Sequence, residues 1–159
     1  MDSAQANALR TLLETQEVAA LGTLHDGEPF VSMVPFALLP RGRGFVMHVS
    51  HLASHTRDML ASPNVSLLVV AQPSPEVPAQ ALARVTVQGE ARSLPQDDPD
   101  HADAKRVYLE RFPQSAQMFT FSDFSLFVVA PRTVRFIGGF AQAASATGET
   151  LAAILSPES

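Results

Sequence analysis

The sequence predicts a mainly β, α+β fold in which six antiparallel strands form a small barrel with flanking helices. Three observations predict it. The apolar runs are short and linked by turn signals, whereas parallel strands need crossovers of a dozen or more residues. Asp26-Gly27 sits between two such runs, and Asp-Gly is a strong hairpin signal. Twelve prolines spread through 159 residues favour many turns over a helical bundle.

Residues 3–16 carry Ala4, Ala8, Leu9, Leu12 and Leu13 at helical spacing, with Ser3 as the expected cap. Residues 18–25 read as a strand that turns at His25-Asp-Gly-Glu28 and returns over 29–39. A second turn, Pro40-Arg-Gly-Arg-Gly44, leads to a third strand ending at Ser50. A helix follows over about 54–61 and stops before Pro63-Asn64. The nearly continuous apolar run 65–71 reads as a buried strand, and 72–78, with three prolines, as a surface loop.

Residues 84–94 alternate cleanly and form a long strand, in which Gly89 marks a bulge or a close backbone approach. The acidic run Asp97-Asp98-Pro-Asp100 is expected as a solvated cap to a helix over 100–112. Residues 124–130 and 133–140 read as two strands joined by Pro131-Arg132. The tail 148–155 has helical spacing and is expected to be weakly held. No internal repeat is visible.

Composition narrows the classes of function. A formal charge of −5 argues against nucleic acid as a partner, because phosphate backbones call for a basic face. No apolar run reaches the length of a membrane span, and the N-terminus lacks the basic start and apolar core of a signal peptide. A cytoplasmic protein with residues 1–159 as one domain is therefore expected. Zero cysteines exclude disulfides, thiolate metal sites and cysteine nucleophiles.

The most informative stretch is Ser50-His-Leu-Ala-Ser-His-Thr-Arg57, at a junction of strand and helix. Free N–H groups and the positive end of a helix dipole point into one space there. Two hydroxyls, two imidazoles and a guanidinium are expected to converge on it, a setting suited to a phosphate monoester. The plain alternative is an ordinary cap in which Ser54 closes the helix.

Elsewhere His25 reads as a solvated turn residue, His48 as a hydrogen-bonded structural histidine and His101 as surface. His51 and His55 lack the helical setting and carboxylate partner of a zinc site, so no metal is expected. Phe119, Phe121, Phe124 and Phe127 read as core or interface rather than a stacking platform. Gly138-Gly139 suggests close approach to a ligand or a second subunit.

With this order of elements, the chain resembles the flavin-binding split barrels of the pyridoxamine 5'-phosphate oxidase-like family. Four segments carry the resemblance: Pro29-Phe-Val-Ser-Met-Val-Pro35, the Ser50–Arg57 turn, Arg84-Val-Thr-Val-Gln-Gly89 and Arg135-Phe-Ile-Gly-Gly-Phe-Ala141. The last is similar to the haem-utilisation (HugZ-type) branch, as are the serine–histidine turn and the Ala83-Arg-Val-Thr-Val-Gln-Gly89 strand. The resemblance implies a six-stranded split barrel and a homodimer holding FMN at the subunit interface. On that basis Ser50 lies beside the flavin ring, and Ser54, His55, Thr56 and Arg57 surround its phosphate. Ser32, Met33 and Val34 line the ring. Arg84 reaches the cofactor from the later strand, with Gln88 on the same face.

There are departures. Authentic pyridoxamine phosphate oxidases carry an Arg where this chain has Ser32, a Lys where it has Ala37, and Arg-Lys where it has His55-Thr56. Their C-terminal Arg-rich signature has no counterpart here. Members of the haem-utilisation branch usually continue into a further C-terminal domain, and Ala141-Gln142 replaces a more usual glycine and basic residue. The expectation is an FMN-dependent oxidoreductase acting on a small molecule, with no catalytic acid or base assigned. The alternative is a haem-binding or haem-degrading protein that uses the same groove without flavin, and its iron ligand would be His48, His51 or His55.

Overall fold

The structure, a computed structural model, describes residues 1–139 and 142–156. Phe140 and Ala141, which end the last expected strand and its Gly-Gly-Phe motif, lie outside the described residues. The elements are α1 (Ser3–Thr15), β1 (Val18–His25), β2 (Glu28–Pro35), β3 (Ala37–Leu38), β4 (Phe45–Ser50), α2 (Ser54–Ala61), β5 (Asn64–Val70), β6 (Arg84–Ser93), α3 (His101–Arg111), β7 (Phe124–Ile137), β8 (Ala143–Thr147) and α4 (Gly148–Leu155).

All eight strands join one antiparallel sheet in the order β2-β1-β5-β6-β7-β4-β3, with β8 also paired to β7. The two edge strands, β2 and β3, are separated in the chain only by Phe36, so the sheet must curl until its edges meet. Of β4, only Phe45 and Val46 pair with β3, and the rest of that edge approaches β2 without a ladder, so the barrel is split there. This is the expected split barrel. Six of the strands are the expected long ones. The runs on either side of Pro131-Arg132 are one continuous β7 rather than two strands. β3 is cut from β2 by Phe36, whose N–H donates to the Glu17 carbonyl, and β8 adds an eighth strand.

Local chemistry explains the turns and caps. Asp26 and Gly27 both take positive φ (52° and 81°), the geometry that matches a two-residue hairpin to strand twist. Gly89 sits at a register shift between β6 and β7, where an added Cβ would lie 2.2 Å from the Ala130 carbonyl oxygen. Bulge and close approach therefore coincide. Helix α1 is capped by Asp2 rather than Ser3, because Asp2 and Gln5 form a reciprocal capping box.

A large core fills the barrel, with Leu9, Leu12 and Leu13 of α1 packed against Phe36, Phe45, Leu67 and Phe136. A second core lies under α3, where Ala104, Tyr108 and Phe112 cover Val46, Leu126 and Val128. Strand β4 and the first half of β7 (Leu126, Phe127, Val128 and Val129) are thus buried on both faces. The run expected to be buried throughout, β5, is buried on one face only: Val65, Leu67 and Val69 point in, and Leu68 points out, 37% exposed. Helix α4 is held more firmly than expected, since Leu151 and Ile154 are buried and Arg10 donates twice to the Ile154 carbonyl.

Candidate functional site

The junction between β4 and α2 does not gather its side chains in one place. Ala53, which offers no side-chain bond, is the N-cap, and Ser54 is the first helical residue. The three-residue turn is braced from inside: Leu52 N–H donates to Ser50 Oγ (3.1 Å), and Thr56 Oγ1 donates to the Ser50 carbonyl (2.6 Å). Thr56 is fully buried by this role. The two imidazoles then diverge. His51 turns to β7, with Nε2 2.5 Å from Ser125 Oγ, and His55 turns to β2, with Nδ1 3.0 Å from Ser32 Oγ. Arg57 is exposed. The expected common anion cradle is therefore divided between two sides of the junction.

On the slit side, Ser32 and His55 form a hydrogen-bonded pair at the free edge of β2. Burial holds the His55 imidazole below the usual histidine value, against the opposing pull of the Asp58 carboxylate. The ring is consequently neutral at neutral pH. Val31 and Met33 alternate with Ser32 and so lie on the other, outer face of β2, where they are 68% and 63% exposed. Across β1 and β5 that face continues as Ala20 and Gly22, then Leu68 and Ser66. Val34 points the other way into the barrel core.

His25 is exposed at the hairpin edge, as expected, and it is also tied down behind α2. Its Nδ1 donates to Asp58 Oδ1 (2.8 Å), and Thr23 Oγ1 donates to Asp58 Oδ2 (2.9 Å). Burial alone would push the Asp58 carboxyl up, but the bonds from His25 and Thr23 and the His25 and Arg57 charges hold it below the usual carboxylate range. The hydrogen bond and charge of Asp58 raise His25 in turn. The triad ties α2 to β1.

On the far side of the junction a cavity of about 430 Å³ lies between β4, α3 and β7. His48, His51, His101 and Lys105 line it together with Phe119 and Phe124. His48 is not hydrogen-bonded as expected. Its Nδ1 is buried without a partner, and its ring stacks on Phe119 at 3.8 Å and 3°. Burial and the nearby His101 and Lys105 charges push its pKa down to about 4. His101, expected at the surface, donates from Nδ1 to the Leu94 carbonyl (2.9 Å). Phe119 packs against the second core, as expected, and also stacks on the His48 ring. Sequence reading missed this cavity because its walls come from several elements far apart in the chain; the alternation of Val46, His48 and Ser50 was the one available signal that His48 faces α3.

Two expected cofactor contacts lie elsewhere. Arg84 Nη1 donates to the Gln80 and Leu82 carbonyls of the preceding turn (3.0 and 2.9 Å). Gln88 Oε1 accepts from Thr133 Oγ1 (2.9 Å). Both residues sit on β6, which β1 and β5 separate from β2.

Residues 6–138 match the protein family described as pyridoxamine 5'-phosphate oxidase. The chain belongs to that family. Within it, this split barrel is 34% identical over 144 residues to the chloroplast haem oxygenase HOZ of Arabidopsis thaliana, covering 89% of this chain and 42% of that protein. It is 28% identical to the haem oxygenase HutZ of Vibrio cholerae, covering 79% and 71% respectively. A haem binding protein from Mycobacterium smegmatis superposes with a TM-score of 0.85 at 34% identity, covering 96% of this chain and 62% of that one. The chain thus spans less than two thirds of the Arabidopsis and Mycobacterium proteins. All three relatives are named for haem and none for flavin. The expectation of an FMN-dependent oxidoreductase is corrected on this finding, which fits the haem-utilisation alternative better. No helix among the described residues is long and apolar enough to cross a membrane.

Proposed function

We propose that this protein binds haem in the slit between the free edges of β2 and β4, as a single-domain homodimer whose second copy covers the exposed outer face. The observation that carries the reading is the Ser32–His55 pair. A neutral imidazole with one nitrogen fixed by a neighbouring hydroxyl has the other nitrogen left to face a metal, which is how histidine ligands are oriented. Val31 and Met33, on the outer face of β2, offer the apolar surface that a second subunit needs, and exposed Arg57 offers a cation for a propionate. The three relatives named for haem support the same choice. Bound haem would supply the iron and its redox chemistry, and the protein would hold it, orient it and limit water.

Titration of the purified chain with haemin tests this. The expected result is a saturable Soret band, which His55→Ala weakens or shifts and added imidazole restores. No saturable Soret band sinks the reading, and an identical spectrum in His55→Ala removes that residue as the ligand. Breakdown of bound haem is read separately, from decay of the Soret band when ascorbate is added in air.

A further inference from the structure

The cavity between β4, α3 and β7 takes no part in the slit, and its electrostatics are one-sided. Lys105 and three histidines, His48, His51 and His101, line it, and no carboxylate among the described residues does. Yet the chain has sixteen acidic residues against eleven lysines and arginines. Most carboxylates of the acidic segment beside the cavity are engaged elsewhere: Arg92 pairs with Asp98 and Asp100, and Arg43 pairs with Asp100 and Asp103. Lys105 makes no ion pair with any described residue. Its Nζ lies 5.4 Å from the centre of the Phe119 ring, at the wall of the cavity.

The second half of the chemistry is aromatic. Phe119 stacks flat on His48, Phe124 tilts against the same imidazole at 5.2 Å, and Tyr108 meets it edge-on at 5.8 Å. A buried imidazole nitrogen without a partner in this cluster is costly to keep in a site that serves only packing. Volume, aromatic walls and a few basic groups together describe a small-molecule site of ordinary size.

We propose that this cavity is a second ligand site, for a small aromatic carboxylic acid whose carboxylate pairs with Lys105 and whose ring lies against Phe119 and Phe124. The site is separate from the haem slit, because His51 and His55 face opposite sides of the junction. Its fate does not depend on whether haem binds.

The test uses the full chain with 2-naphthoate and its neutral isostere 2-naphthamide, followed by amide chemical shifts in nitrogen–proton correlation spectra. Naphthoate is expected to bind saturably, with shifts centred on Lys105, Phe119 and Ser125. Lys105→Gln should weaken it by about tenfold or more, the loss of one charge-assisted contact, while leaving haemin uptake unchanged. Naphthamide should bind weakly and equally to both proteins. The proposal is overturned by naphthoate binding that is absent, equally tight in Lys105→Gln, or mapped to the outer faces of β1, β2 and β5.

Discussion

Arg111→Ala is the substitution whose cost the structure specifies most closely. The guanidinium donates to four backbone carbonyls: Phe36 (3.0 Å), Leu13 (3.0 Å), Glu14 (2.9 Å) and Gln16 (2.7 Å). Three of these belong to the end of α1, where carbonyls lack helical partners. The fourth lies between β2 and β3, and the guanidinium carbon also sits 4.8 Å from the centre of the Phe36 ring. One side chain on α3 therefore fastens α1 and the corner that bends the sheet into a barrel. A hydrogen bond to a charged group contributes about 1.5–3 kcal/mol. The carbonyls of Leu13, Glu14 and Gln16 can turn to water once released, so the four bonds do not sum. With the ring contact, a loss of about 3–4 kcal/mol is expected, a large part of the roughly 5–15 kcal/mol of a typical domain. Arg111→Lys, a point charge that cannot fork across three carbonyls, should recover about half of it. Urea unfolding followed by circular dichroism measures both, since the chain has no tryptophan. A loss below about 1 kcal/mol in Arg111→Ala, or full recovery by lysine, would refute the argument.

Asp58→Ala should cost about 1–3 kcal/mol by leaving the Thr23 hydroxyl, 3% exposed, without an acceptor. The raised His25 contributes in full below its ordinary 6.5 and less as pH rises through its folded value; the lowered Asp58 contributes above 3.8 and less as pH falls through its own. The difference from wild type should thus be largest near about pH 5–6, and a difference independent of pH would count against the pair. His48, with its pKa near 4, binds a proton more readily unfolded, so stability should fall from pH 6.5 towards 4. His48→Phe should flatten that part of the unfolding profile, and an unaltered slope would mean another group causes it. Gly89→Ala should destabilise by more than about 2 kcal/mol, because the new Cβ would meet the Ala130 backbone oxygen; a near-neutral thermal melt would be the contrary result. The double variant Val31→Asp, Met33→Lys should sediment as a monomer while wild type sediments as a dimer, and an equal mass for both would leave the outer face without its assigned partner.

The fold was legible because its signals are local. Asp26-Gly27 fixes a hairpin through two positive φ angles, and Gly89 announces the bulge by the side chain it lacks. Alternation in β6 predicts its buried residues residue by residue. Where the expectation fell short, the cause was a partner distant in sequence. His25 reads as a turn residue alone until Asp58, 33 residues later, is packed behind it. Arg111 carries no motif, since its acceptors are backbone groups 75 to 98 residues away. The extent of β7 was underestimated because Pro131 falls at the bulge, where β6 needs no amide donor from it.

The proposed haem site rests on the same residues that first read as departures from a phosphate grip. Ser32 and His55-Thr56 stand where an authentic pyridoxamine phosphate oxidase carries cations, and sequence alone shows only that charge has been lost. In the structure the losses are coupled. Ser32 and His55 meet at 3.0 Å across 23 residues, and Thr56 withdraws to brace the turn through the Ser50 carbonyl. Three substitutions that each weaken a phosphate grip therefore build, together, one oriented neutral imidazole at the slit. On the proposed reading, a fold that keeps its barrel while exchanging cations for such a pair serves a different ligand chemistry, and the pair is visible only once the strand and helix are side by side.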